Sequence, residues 1–221
     1  MKNKNLLMTV VISFIAVICV AQADCKTVTV TDIDGNVYHT ITIGTQVWLT
    51  ENLKTTHYLD GTAIPLVTDK DTWMNLTKAA YCNYNNSISN ANKYGRLYNW
   101  YAVNTGKLAP KGWHVATDAE WTTLITYLGG ESVAGGKLKS TANWNSPNTG
   151  ATNSSGFSGL CGGFRNCNGT FLNVGEYAYW WSATESNAAI AWERFLVYDD
   201  TNAYRFDHDK TNGLYVRCLK D

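Results

Sequence analysis

Residues 117–130, TDAEWTTLITYLGG, constrain the fold more than any other stretch, because they carry both the start and the stop of a helix. Thr117 and Glu120 stand three apart as a capping box, in which each side chain takes a backbone amide that the first helical turn leaves unpaired. Trp121, Leu124, Ile125 and Leu128 fall at i, i+3, i+4 and i+7, so one apolar stripe must face a core. Gly129 and Gly130 end it, since glycine accepts the left-handed backbone that a helix end needs. Just upstream, residues 112–116 read as a short extended lead-in that brings Trp113 to the same core.

The first residues read as a leader rather than as part of the fold. Lys2 and Lys4 precede an apolar run over residues 6–20, and Ala21, Gln22 and Ala23 supply the small residues that a signal peptidase reads. The expectation is a signal peptide over residues 1–23, cleaved after Ala23, and a single secreted domain over residues 24–221 that reaches the periplasm or the cell surface. A lipid anchor on Cys25 competes, but Asp24 before it is too large and charged for the small residue such a site takes. A retained membrane anchor would need a longer run, roughly 20 residues. Losing Lys2 and Lys4 from a chain with 18 basic and 18 acidic residues leaves a net charge of about −2, which draws in neither nucleic acid nor an acidic membrane. Nine tryptophans and thirteen tyrosines against 16% charged residues exclude a disordered chain.

Five cysteines follow the leader, and an oxidising compartment suggests two pairs and one left over. Cys161 with Cys167 would close a short glycine-rich loop, and Cys82 with Cys218 would tie the middle of the chain to its end. Cys25 competes for either partner, and spacing leaves the choice open.

Period-two patterns mark strands at residues 27–31 and 36–48, joined by the turn-forming DIDGN cluster of residues 32–36. Asp32, Asp34 and Asn36 alternate like the opening of a calcium loop. However, Gly35 stands at the fourth loop position rather than the sixth, and Ile43 takes the place of the closing glutamate. Short helices are expected at residues 71–78 and 96–103, with an exposed Asn- and Ser-rich loop at 83–92 between them. Residues 143–163 form a long polar loop of the kind that is usually functional or poorly ordered. Beyond it come strands at 179–183, 191–198, 203–207 and 214–219, with a turn at 199–202. Strands at both ends with two main helices and long loops between them define an α+β domain built on antiparallel sheets.

DIDGNVY, IGTQVWLTENL, YGRLYNWYAV, GWHVATDAEW, LGG, SGF, YWWSAT and the final GLYVRCLKD together resemble the Fibrobacter succinogenes major paralogous domain, found in exported proteins of Bacteroidetes and their relatives. The resemblance runs from about Val30 to Asp221. It implies export and a C-type-lectin-like fold, and it assigns no activity. Members often carry a cysteine and a proline before the GWH motif, where this chain has Ala109 and Pro110; if that cysteine pairs with the one in the final strand, Cys218 must find another partner here or stay reduced. The segment from Trp113 to Trp121 is also distantly similar to the RLPTEAEWE segment of formylglycine-generating and other sulfatase-modifying enzymes. Those enzymes need a late pair of reactive cysteines to hold copper. Cys161 and Cys167 precede the YWWSAT strand instead, and a structural disulfide explains them better.

Three functions are expected. The first is a binding module that recognises carbohydrate or another surface ligand through its loops, with an aromatic face stacking on a sugar ring. Trp144 leads the candidates because it sits in the long loop beside Asn143, Asn145 and Asn148, and Trp192 and Trp73 come next. Trp113, Trp121, Trp180 and Trp181 read as core. The EPN, QPD and WND triplets of calcium-dependent lectins are absent, so no metal or cofactor is expected. The second is a structural or adhesive surface protein that binds a protein partner. The third, an enzyme, has only weak constellations: His114 beside Asp118 and Glu120 reads as a helix-entrance residue, and Asp207, His208 and Asp209 point to alternate faces of one strand. His39 and His57 have no such company, and the chain is read as a non-enzyme.

Overall fold

One carboxylate builds the first turn of the protein. The computed structural model describes residues 28–221, and the expected leader, its cleavage point and Cys25 lie outside them. Strands β1 (Thr29–Thr31) and β2 (Val37–Ile43) pair antiparallel. Between them Asp32 Oδ1 accepts the amides of Asp34 and Asn36, while Oδ2 accepts the Tyr38 hydroxyl at 2.6 Å. The acidic cluster is thus consumed as a turn. The single strand expected over residues 36–48 is two, because Gly44 (φ 62°) folds β3 (Gln46–Leu49) back on β2. A Cβ at that glycine would stand 2.9 Å from the Tyr127 ring.

The helices divide the same way between what local signals specify and what packing imposes. Helix α4 (Asp118–Tyr127) starts on the Thr117–Glu120 capping box and buries Trp121, Leu124 and Ile125, as its spacing predicts. Gly130 (φ 95°) ends that turn and also serves as N-cap of a helix the sequence does not announce, α5 (Glu131–Leu138). Gly135 and Gly136 weaken α5 locally, but they let the backbones of Asn202 and Gly150 come so near that added Cβ atoms would sit 2.1 and 2.4 Å from their carbonyl oxygens. Helix α1 (Lys70–Met74) is capped by Asp69 and is shorter than expected. The loop expected at 83–92 contains a 3₁₀ turn, Tyr84–Asn86, and α2 (Ile88–Tyr94), both anchored by buried tyrosines. The helix expected over 96–103 keeps only its second half, α3 (Trp100–Val103), because Leu97–Tyr98 is a short strand and Asn99 caps the single helical turn after it.

The remaining strands are β4 (Tyr81–Cys82), β5 (Leu97–Tyr98), β6 (Trp113–Val115), β7 (Gly162–Arg165), β8 (Phe171–Val174), β9 (Tyr177–Glu185), β10 (Ile190–Val197), β11 (Ala203–Asp209) and β12 (Cys218–Lys220). Among the described residues they make two five-stranded sheets, ordered β1-β2-β3-β12-β6 and β11-β10-β9-β7-β8, and the pair β4-β5. Pairing is antiparallel throughout except between β7 and β9, so the fold is α+β with mostly antiparallel sheets and few helices.

Strand β9 divides the interior. Trp180 joins Trp48, Trp121 and Phe157 in one aromatic cluster, with ring centroids 4.9 to 5.9 Å apart. Trp181 points the other way, into a second cluster with Tyr98, Trp100 and Leu214. Trp113 packs against this second cluster, not against the one that α4 covers. No helix among the described residues is long and apolar enough to cross a membrane.

The expected disulfides do not form: Cys82, Cys161, Cys167 and Cys218 are all free. Strand β7 separates Cys161 from Cys167, and four extended residues span about 13 Å against the roughly 7 Å a disulfide tolerates. Cys82 lies in the first aromatic cluster and Cys218 in the second. Burial pushes the thiol of Cys82 up to about 12 and that of Cys161 to about 11. A thiol reagent at neutral pH is therefore expected to modify Cys167 in the native protein, and Cys82, Cys161 and Cys218 only once it unfolds. Mass spectrometry before and after denaturation reads the difference, and a native Cys161–Cys167 bridge would contradict it.

The last residue is fastened by a histidine. His114 places Nδ1 2.7 Å from Asp221 and Nε2 2.8 Å from Glu120. Burial works against its charge, but the two carboxylates outweigh it and hold its pKa above the ordinary 6.5. Burial likewise raises Glu120, but bonds from Thr117 and His114 outweigh it and bring its pKa below 4.5. The histidine's contribution is complete below 6.5 and fades as pH rises through its folded pKa. The glutamate's is complete above 4.5 and fades as pH falls. The melting-temperature gap between the protein and its His114→Gln variant should therefore be widest between the two ordinary values, near about pH 5.5, and narrow as pH rises through the histidine's folded pKa, as thermal unfolding across pH will show.

Candidate functional site

The tryptophans that sequence reasoning offered as a ligand surface lie in three separate places. Trp73 is fully buried, with the Arg165 guanidinium 4.4 Å over its ring, which leaves no face for a ligand. Trp192 is half-buried beneath Arg205, whose guanidinium lies 3.3 Å from the ring centre. Trp144 is half-buried against the first aromatic cluster, and its indole N–H donates to the Gly159 carbonyl at 3.0 Å. Asn143 and Asn145 are exposed, but their backbones are structural: the Asn143 carbonyl takes the Cys161 thiol and the Asn145 amide donates to Gly175. The long loop is ordered around its tryptophan rather than presenting it.

The aromatic surface that does face outward belongs to the second sheet. One end of the β9–β10 face is covered, because Tyr98 accepts the Trp181 indole N–H through its carbonyl and Trp100 donates its own to Ser182. The other end is open. There Tyr177, Tyr179, Phe195, Val197, Tyr204, Phe206 and His208 line a cleft of about 480 Å³, with Asp199 and Asp200 at its rim. The register explains the convergence. Phe195 stands opposite both Tyr179 and Tyr204 on neighbouring strands, and directly paired residues share a face. Tyr177 and Tyr179 stack with planes 7° apart, and Phe195 and Tyr204 stack with planes 11° apart and centroids at 4.7 Å. Tyr179 and Val197 form the buried floor, while Phe206 is 55% exposed.

An ion pair lies against this floor. Glu193 is fully buried on the cleft side of β10, opposite Phe206, and its Oε1 lies 2.8 Å from His208 Nδ1. The contact is close but poorly aligned for a hydrogen bond, and the other carboxylate oxygen has no partner at all. Burial raises the Glu193 pKa, and His208 only partly offsets that. Burial opposes the charge on His208, but Glu193 outweighs it and raises the histidine's pKa. Asp207 turns to the opposite side and accepts from Ser186, so the Asp207, His208 and Asp209 run does not converge, as its alternation predicts. His39 and His57 make separate surface pairs with Glu51 and Asp34. Among the described residues no cluster of His, Cys, Asp and Glu has the makings of a metal site.

The rim is held from behind by a buried lysine. Lys139, at the end of α5, sends its ammonium to the carbonyls of Thr149 at 2.8 Å, Val197 at 2.9 Å and Asp200 at 2.6 Å, with Tyr198 at 3.5 Å. It thereby locks the long loop to the β10–β11 turn that carries Asp199 and Asp200. Asp200 is also tied down in front by the Tyr204 hydroxyl and the Asn202 amide, bonds that hold its pKa below the usual range. None of these residues carries a sequence signal beyond strand alternation. Tyr and Phe at alternate positions on β9 and β11, with Phe195 on β10 between them, were the available clue.

The fold and cleft together define an α+β module with one open aromatic face. The family comparison is more specific: the chain belongs to the Fibrobacter succinogenes major domain family, whose description matches residues 41–220. No curated protein and no solved structure matches it.

Replacing Lys139 with Met keeps the aliphatic stem and removes the ammonium from at least three buried carbonyls. The expected cost is about 2–4 kcal/mol in urea unfolding, with amide exchange quickening first around residues 198–202.

Proposed function

We propose that the protein is an exported binding module whose aromatic cleft, rather than its long loop, recognises a carbohydrate ring. The observation that carries this is five outward aromatic side chains converging on one rigid sheet face beside polar rim groups. Apolar ring faces stack on the C–H faces of a sugar while carboxylates and hydroxyls take its hydroxyl groups, the usual composition of a small-molecule site. Export rests on the leader pattern ahead of the domain, and a C-type-lectin-like arrangement is consistent with two curled sheets whose first and last strands meet in one of them. We read the cleft as binding rather than catalytic because Glu193, the acid beside it, is fully buried and out of a ligand's reach. Among the described residues the free, dispersed cysteines likewise offer no copper-holding pair.

A glycan array followed by titration tests the reading. Phe206→Ala and Tyr177→Ala are expected to weaken binding of an array hit about tenfold each, near 1.4 kcal/mol, with little change in melting temperature for the exposed Phe206 and a modest loss for the core-packed Tyr177. Trp144→Ala should lower stability and leave affinity in place. The reverse pattern would return the site to the loop. Silence across glycans, with capture of a protein through the same aromatic residues, would favour an adhesive role.

A further inference from the structure

The charges around the cleft are one-sided. Of the two rim carboxylates, Asp200 is occupied by Tyr204 and Asn202. Asp199 is exposed, and none of the ion pairs among the described residues includes it. Glu176, next to Tyr177, lies near enough to act on Tyr179. Beneath the rings, one oxygen of the buried Glu193 carboxylate has no partner.

The nearby cations are all committed elsewhere. The Lys139 ammonium is enclosed by backbone carbonyls behind the rim and acts on Asp199 and Asp200 only from a distance, without a contact to either carboxylate. Arg194 and Arg205 bind Asp118 on the opposite face of the sheet, and His208 is matched by Glu193. The cleft therefore offers a ligand a carboxylate at Asp199 that no salt bridge engages and several ring faces whose quadrupoles attract positive charge. A neutral sugar would leave that potential unanswered.

We propose that the ring bound in this cleft carries a free protonated amine, as in unacetylated glucosamine units, with the ammonium directed to Asp199 at the rim beside Tyr177 and Tyr204. The proposal rests on the carbohydrate reading of the same cleft. N-acetylation would abolish the preference by removing the charge and adding bulk where the carboxylate stands. A neutral hexose would keep the ring contacts and lose only the ionic one.

Calorimetric titration of the mature chain with glucosamine tetramer, N-acetylglucosamine tetramer, cellotetraose and tetralysine, at a pH that protonates the amine, tests this. The amino tetramer should bind roughly tenfold or more tightly than either neutral sugar, and added salt should narrow the gap. Asp199→Asn should erase that preference, bringing the amino tetramer down to the affinity that the same variant shows for cellotetraose, and Asp199→Glu should restore part of it. Equal affinity for the amino and neutral tetramers would overturn the amine and leave the carbohydrate reading standing. No binding of any saccharide would overturn both. Tetralysine binding as tightly as the amino sugar, with no loss in Phe206→Ala, would reduce the site to bare electrostatics and also overturn the proposal.

Discussion

A buried guanidinium with no carboxylate beside it holds the two halves of this fold together. Arg217, immediately before the last strand, is fully buried and donates to the Asn52 side chain, to the Leu49 carbonyl and to the carbonyls of Phe157 and Ser158. Its plane lies 4.3 Å over the Phe157 ring, and Asn52 also accepts the Trp180 indole N–H. An isolated buried charge is costly. This one is tolerable because nearly every N–H finds an oxygen and the π faces answer the charge that remains. A lysine would not serve, since one nitrogen cannot reach acceptors spread across a strand end, a side-chain amide and a loop. The consequence is topological: the final segment of the chain joins the first sheet, the long loop and the strand that divides the core, so none of them is complete without it.

Lys139 repeats the device on the same long loop, and together the two cations do what disulfides were expected to do. Long loops need ties because the entropy of ordering them must be offset by contacts. Cysteine spacing suggested covalent ties, but the thiols lie in apolar clusters or local turns. The ties are instead backbone carbonyls gathered around a charge. Such a knot needs no salt bridge, since Glu51 acts on Arg217 and Asp199 and Asp200 on Lys139 only from a distance, so net charge and pairing patterns gave no hint of it. Reading Arg217 and Lys139 as surface residues is the natural error, and their burial is the correction.

Legibility in the chain depends on how local the cause of each feature is. The capping box of α4 and the Asp32 turn are made by residues within six positions of one another, and both were visible at once. Helix α5 was not, because Gly135 and Gly136 argue against it locally and are required only by the approach of Asn202 and Gly150 from elsewhere. The cleft was hidden for a related reason. On β9 and β10 both faces are apolar, so alternation identifies strands without saying which face is covered. Trp181 and Tyr179 point to the same side, yet one is sealed by Tyr98 and Trp100 and the other floors an open cleft. That distinction belongs to a segment some eighty residues earlier. The large indoles drew attention to themselves, and they turned out to be what the interior is made of.

This division of labour bears on how such a site works. The inner face of the second sheet carries Trp180, Leu196 and Ala203 into the core, and the turn beyond β10 is clamped by Lys139, so the cleft is rigid before any ligand arrives. A preformed site avoids the ordering cost that a flexible loop would incur on binding. It also separates recognition from folding. Phe206 and Asp199 line the cleft and contribute little to the core, so on the proposed reading substitutions there would change what is bound while Arg217, Lys139 and the aromatic clusters keep the frame. The constraint runs in one direction only. A change at Lys139 would loosen the rim and one at Arg217 the closing strand, and no choice of residues in the cleft could compensate for a frame that moves.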